Sequence, residues 1–307
     1  MTAALTFADR LAERVAARES QVVLGLDPDP ARLWPGALAQ APRHGSAARR
    51  AAAAVRAQCA ALIDAAGPAC VAAKPQLACF ERLGADGWDA LARTVEYARE
   101  RDLIVLADGK RGDISISAAA YAQALVGTTP TPFGDVDGLR ADAFTANPLL
   151  GVDALEPLIA GARENAAGVF VLVRTSNPGA ADVEDLRVAG GGGDAVWERL
   201  ARIVARLGEP PGASGLSDVG AVVGATAPEH VGRMRELMPH APFLLPGIGA
   251  QGGRVEEIGP AFAPGRAGGL VSASRSIAAA HESSGGPPAA AARAEAERLR
   301  EAAWSLS

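Results

Sequence analysis

Aromatic side chains make up only 4% of the 307 residues, so any core must be filled by aliphatic side chains and by the abundant alanine. Cysteine is nearly absent. Cys59, Cys70 and Cys79 are odd in number and lack metal-ligand spacing. That argues against a disulfide framework or a zinc site and for buried thiols in a reducing cytoplasm. No apolar run reaches the ~18 residues of a membrane span. No charged start followed by an apolar core marks a signal peptide. Net charge is −5, and no block of Lys and Arg forms a nucleic-acid footprint. The Arg-rich pieces alternate with Ala and Glu, as on solvated helix faces. No G-x-G-x-x-G follows the first apolar run, which counts against an open doubly wound sheet.

Hydrophobic residues make up 49% of the chain, enough for a large core, and the length suits one α/β barrel spanning residues 1–307. Eight short apolar runs read as strands: 22–26, 69–73, 103–107, 141–145, 168–174, 219–223, 243–245 and 269–271. Between them lie helical patterns. Phe7, Leu11 and Val15 share one face of a helix over 6–20, and further helices are expected over 47–66, 87–101, 115–125, 151–162, 195–207, 228–238 and 288–304. Strands that alternate with helices predict a (β/α)8 TIM barrel. Two connections are long, 127–138 and 180–218. The second contains the run Gly190 to Gly193, read as a mobile loop.

Chemistry gathers at the strand ends. The third run, Leu-Ile-Val-Leu-Ala, leads into Asp108-Gly-Lys110-Arg-Gly-Asp113. Strand alternation puts Asp108 and Lys110 on one face. Charges at the mouth of a buried strand are costly unless paired, so they form either a structural ion-pair network or an active site. Asp27 follows the first run, where it is either a turn residue or a functional one, and Lys74 follows the second. The seventh run ends in Pro-Gly-Ile-Gly-Ala-Gln251-Gly-Gly, and the eighth in Ser-Ala-Ser-Arg275-Ser. A Gly-rich loop lets backbone N–H groups approach an anion, and Arg275 can make two parallel hydrogen bonds to phosphate oxygens. At consecutive strand ends of a barrel, the two form a phosphate grip.

Taken in this order, Asp27, Lys74, Asp108-Gly-Lys110-Arg-Gly-Asp113, Pro-Gly-Ile-Gly-Ala-Gln251 and Ser-Arg275-Ser resemble orotidine 5'-phosphate decarboxylases. The stretches Ala-Ala-Lys-Pro-Gln, Asn-Pro-Leu-Leu-Gly and Thr-Ser-Asn-Pro-Gly resemble the longer bacterial branch of that family, type 2. The resemblance runs from Asp27 to Ile277. It implies a cytoplasmic homodimer with shared active sites that converts orotidine monophosphate to UMP, with no metal and no organic cofactor. It also implies roles. Asp27 holds the ribose hydroxyls. Lys74, Asp108, Lys110 and Asp113 form an alternating charged row, with Asp113 reaching the neighbouring subunit's site. Ser176 contacts the pyrimidine, and Gln251 and Arg275 hold the phosphate. Ser117 stands where the family has a Thr that crosses the interface. In such a site the Lys110 ammonium stabilises the C6 carbanion and then protonates it.

Two other readings remain open. A metal-dependent sugar-phosphate decarboxylase or aldolase of the same superfamily shares D-x-K-x-x-D but usually carries Glu where Lys74 stands, and an ammonium there repels a cation. A non-catalytic nucleotide-binding module needs only the phosphate grip and leaves the other charged strand ends unexplained.

Overall fold

The computed structural model describes residues 5–189 and 193–307. Of the run read as a mobile loop, Gly190, Gly191 and Gly192 therefore lie outside the description. Eight parallel strands close into a barrel: β1 (Val22–Leu26), β2 (Ala72–Pro75), β3 (Ile104–Arg111), β4 (Ala143–Ala146), β5 (Gly168–Arg174), β6 (Val219–Val223), β7 (Phe243–Leu245) and β8 (Gly269–Ala273). Each pairs with its neighbours in chain order, and β1 closes on β8 with Val22 opposite Val271. The expected TIM barrel is the fold.

Strand alternation sorts side chains between two apolar layers. In β1, Val22, Leu24 and Leu26 pack in the layer shared with the helices, while Val23 joins the barrel-interior cluster. The outer helices are α1 (Phe7–Arg18), α2 (Ala47–Ala66), α3 (Ala85–Glu100), α4 (Ser115–Leu125), α5 (Val152–Glu164), α6 (Val196–Leu207), α7 (Pro228–Leu237) and α8 (Pro288–Leu306). Helix α1 begins where the Thr6 hydroxyl accepts from Asp9 N–H and ends at Glu19 in the left-handed region. Its buried face, Phe7, Leu11 and Val15, belongs to the barrel-interior cluster. Phe7 meets Phe170 edge to face at 6.0 Å, and truncating so buried a ring costs about 3–5 kcal/mol.

Several local features depart from the sequence pattern. Gly67–Ala69 forms a 3-10 turn, so β2 starts later than expected and includes Lys74. The 127–138 connection carries a two-stranded hairpin, Thr128–Thr129 with Val136–Asp137. No α-helix joins β7 to β8; 3-10 turns at Val255–Glu257, Gly259–Phe262 and Arg266–Gly268 make the connection. The buried Arg235 guanidinium, at the end of α7, ties this segment down. It donates to the carbonyls of Met238, Ala241, Ala261 and Gly268 at 2.7–3.0 Å and lies 3.7 Å over the Phe243 ring. Among the described residues, no helix is long and apolar enough to cross a membrane.

Candidate active site

The C-terminal mouth of the barrel holds a cavity of about 330 Å³. Seven of the nine residues singled out in the sequence line it: Asp27, Lys74, Asp108, Lys110, Ser176, Gln251 and Arg275. Residues distant in the chain meet there because each follows or ends a different strand.

Asp108 is the centre of the polar wall. Its Oδ2 accepts from Lys74 Nζ at 2.7 Å and from Gln76 Nε2 at 3.3 Å. Its Oδ1 accepts from Lys110 Nζ at 2.6 Å and from the Thr145 hydroxyl at 2.9 Å. Burial alone would raise the Asp108 pKa, but Lys74 and Lys110 outweigh it and hold the carboxyl far below the ordinary carboxylate range. Burial alone would likewise lower Lys74, but Asp108 and then Asp27 outweigh it and raise its pKa. Both partners of the Lys74–Asp108 pair are almost fully buried, at 7% and 8% side-chain exposure, whereas the Lys110 side chain is 42% exposed to the cavity mouth. Of the chain's 30 Lys and Arg residues, only these two are lysines.

The meeting of Asp108 and Lys110 does not come from a regular pleat. Strand β3 shifts register against β4 between Ala107 and Arg111, and Lys110 sits at φ 47°. A non-glycine residue in that left-handed region is strained, and such strain clusters at functional sites.

The opposite wall is a glycine-rich turn followed by Arg275. Gly247 at φ 101° and Gly249 at φ 75° let the chain turn after β7. The turn closes on itself: Gly249 N–H donates to Gly253 O, and Gly253 N–H donates to Gly247 O. Gln251 rises from this turn, and Arg275 opens the short helix Arg275–Ala278 after β8. Both are exposed, and both line the cavity. Ser176 stands between the two walls, its carbonyl accepting from the Thr226 hydroxyl at 3.0 Å.

Asp113 and Ser117 do not line the cavity. The Asp113 carboxylate accepts from Ile114 N–H at 2.8 Å, and Ser117 is exposed in the first turn of α4. Around them lie exposed apolar side chains: Ile114, Ile116, Leu149 and Leu150, at 56%, 86%, 80% and 53%.

Gln76 and Thr145 touch the charged cluster yet were not singled out in the sequence as site residues. Gln76 was findable as the next strand position beyond Lys74 on the same face. Thr145 was findable as a hydroxyl inside the apolar run Ala-Phe-Thr-Ala.

Residues 20–294 match the family described as orotidine 5'-phosphate decarboxylase / HUMPS. Curated relatives include an orotidine 5'-phosphate decarboxylase of Deinococcus radiodurans, 41% identical over 274 residues covering 89% of each chain. Another, from Haloarcula marismortui, is 42% identical and covers 90% of this chain and 88% of its own. Among solved structures, the OMP decarboxylase of Leishmania donovani superposes with a TM-score of 0.71 at 31% identity, covering 98% of this chain and 99% of that one.

Proposed function

The chain belongs to the orotidine 5'-phosphate decarboxylase family and is a carboxy-lyase that converts orotidine 5'-monophosphate to UMP in pyrimidine biosynthesis; we propose that Lys110 carries its chemical step. The observation behind this reading is the Lys74–Asp108–Lys110 row, in which a pinned carboxylate holds one buried and one cavity-facing ammonium.

Loss of CO2 from C6 of the pyrimidine leaves a carbanion with little resonance relief. Lys110 Nζ, placed beside C6, stabilises that charge as it develops and then delivers a proton to C6. Asp108, saturated by four donors, keeps Lys110 in position and faces the substrate carboxylate. Asp27 binds the ribose hydroxyls, Ser176 the pyrimidine, and Gln251 and Arg275 the phosphate. Binding energy from the phosphate, remote from the bond that breaks, then serves to hold the reactive end in place. No metal or organic cofactor takes part in this scheme.

The same reading takes residues 1–307 as one barrel domain, working as a cytoplasmic homodimer. Support comes from the exposed Ile114, Ile116, Leu149 and Leu150 around Asp113 and Ser117. A second copy covering this face would bury the apolar groups and bring Asp113 and Ser117 to its partner's cavity.

The test is the absorbance of orotidine monophosphate with purified protein in excess chelator, beside Lys110→Ala. Loss of the orotate chromophore with wild type alone is the expected result. A flat trace from folded wild type overturns the assignment, and turnover that requires restored Mg²⁺ points to the sugar-phosphate branch.

A further inference from the structure

Strands β3 and β4 pair Ala107 with Phe144 and then, after the register shift, Arg111 with Ala146. Three residues of β3, Asp108, Gly109 and Lys110, therefore lie opposite the single residue Thr145 of β4. A bulge of this kind leaves ladder groups without their regular partners. The Thr145 hydroxyl takes up one of them and a side chain besides. It accepts from Lys110 backbone N–H at 2.9 Å and reaches Asp108 Oδ1 at 2.9 Å. Its proton has one place to go. The N–H of Lys110 occupies it as acceptor, and an ionised carboxylate can only accept, so the hydroxyl must donate to Asp108. Thr145 is itself 1% exposed, so these bonds are shielded from bulk solvent.

We propose that Thr145 is a positioning residue for decarboxylation: its hydroxyl staples the β3 bulge and so fixes both the Asp108 carboxylate and the left-handed turn that aims Lys110 into the cavity. The inference rests on the role given to Lys110 above. Without the hydroxyl, Lys110 N–H loses its acceptor, and the φ 47° turn loses the bond that holds it. Asp108 Oδ1 keeps only Lys110 itself as a donor, so the carboxylate and the ammonium are free to shift together. Ribose and phosphate contacts lie at other strand ends and stay in place.

The experiment compares Thr145→Val, which keeps the shape and removes the hydroxyl, with Thr145→Ser, which keeps the hydroxyl. Loss of a hydrogen bond to a charged group predicts that kcat falls about 10- to 100-fold in Thr145→Val. The affinity for UMP, measured by calorimetry, should stay within about twofold of wild type, and Thr145→Ser should recover most of the lost kcat. A kcat for Thr145→Val within about twofold of wild type overturns the proposal. So does equal impairment of the two variants, or loss of UMP affinity in step with kcat. A second measurement needs no variant that might fail to fold. With only two lysines in the chain, [15N]lysine labelling gives two backbone amide signals. The Lys110 amide should exchange slowly with solvent although its side chain is exposed, and fast exchange overturns the staple. Lys110→Ala, assayed in parallel, separates this result from a failure of the Lys110 reading. If that variant keeps wild-type turnover, the role of Lys110 falls, whatever the amide shows.

Discussion

The backbone N–H of Thr175 donates to the Glu184 carboxylate at 2.8 Å, and the Thr175 hydroxyl lies 3.1 and 3.2 Å from the same two oxygens. Next to it, the buried Arg174 guanidinium pairs with Asp185 at 3.0 Å. The start of the long connection after β5 is thus tied to the residue just before Ser176. Glu184→Ala should free this tether and loosen Ser176. Loss of a hydrogen bond to a charged group predicts a KM for orotidine monophosphate raised about 10-fold, with kcat changed less. Steady-state kinetics check this, and an unchanged KM would separate the connection from pyrimidine binding.

Lys74→Met leaves the buried Asp108 carboxylate without its main partner and should cost about 3–5 kcal/mol at pH 7, read from urea unfolding. The pH dependence follows from the directions of the two shifts. Asp108 is lowered from 3.8, so its contribution is complete above about that pH and is lost as pH falls below it. Lys74 is raised from 10.5, so its contribution is complete below that pH and is lost as pH rises beyond it. The stability gap between wild type and variant should therefore be widest between these limits and narrow outside them. A gap independent of pH would contradict the pairing. With only two lysines present, lysine side-chain labelling should also show Lys74 still protonated above pH 10.5 by NMR.

Mixing Lys110→Ala with Asp113→Ala should restore activity that neither variant has alone. A mixed dimer carries one site with both residues intact. Random exchange therefore predicts recovery to about one quarter of wild type. No recovery after confirmed subunit exchange would count against a shared site.

Arg275→Ala removes the guanidinium that lines the cavity beside the Gly-rich turn. It should raise KM for the nucleotide by about 10- to 100-fold, as expected for charge-assisted hydrogen bonds. Competitive inhibition by inorganic phosphate should weaken with it. Retention of wild-type KM would place the phosphate elsewhere.

Periodic features were legible in the chain alone. Helix α1 buries Phe7, Leu11 and Val15 because their spacing repeats every turn, and α2 and α4 run over the expected residues. Strand ends announced themselves through charges and glycines after apolar runs, so Lys74, Asp108 and Arg275 meet as the pattern implied. The bulge in β3 and the turn at Lys110 were not legible, because a bulge depends on the register of a partner strand and leaves no period in its own. The helix-free passage from β7 to β8 was also hidden, since its 3-10 turns hang on Arg235, a residue of the preceding helix.

Arg235 works as a knot at the floor of the barrel. It draws the end of α7 and the approaches to β7 and β8 onto one cation, with carbonyl oxygens as its only hydrogen-bond acceptors among the described residues. The charged row sits at the roof, where two lysines answer to one carboxylate. Arg235 and the charged row thus lie at opposite ends of the barrel strands. Damage at the floor should show as fewer intact molecules, whereas removal of the exposed Lys110 ammonium at the roof should leave intact molecules that work slowly.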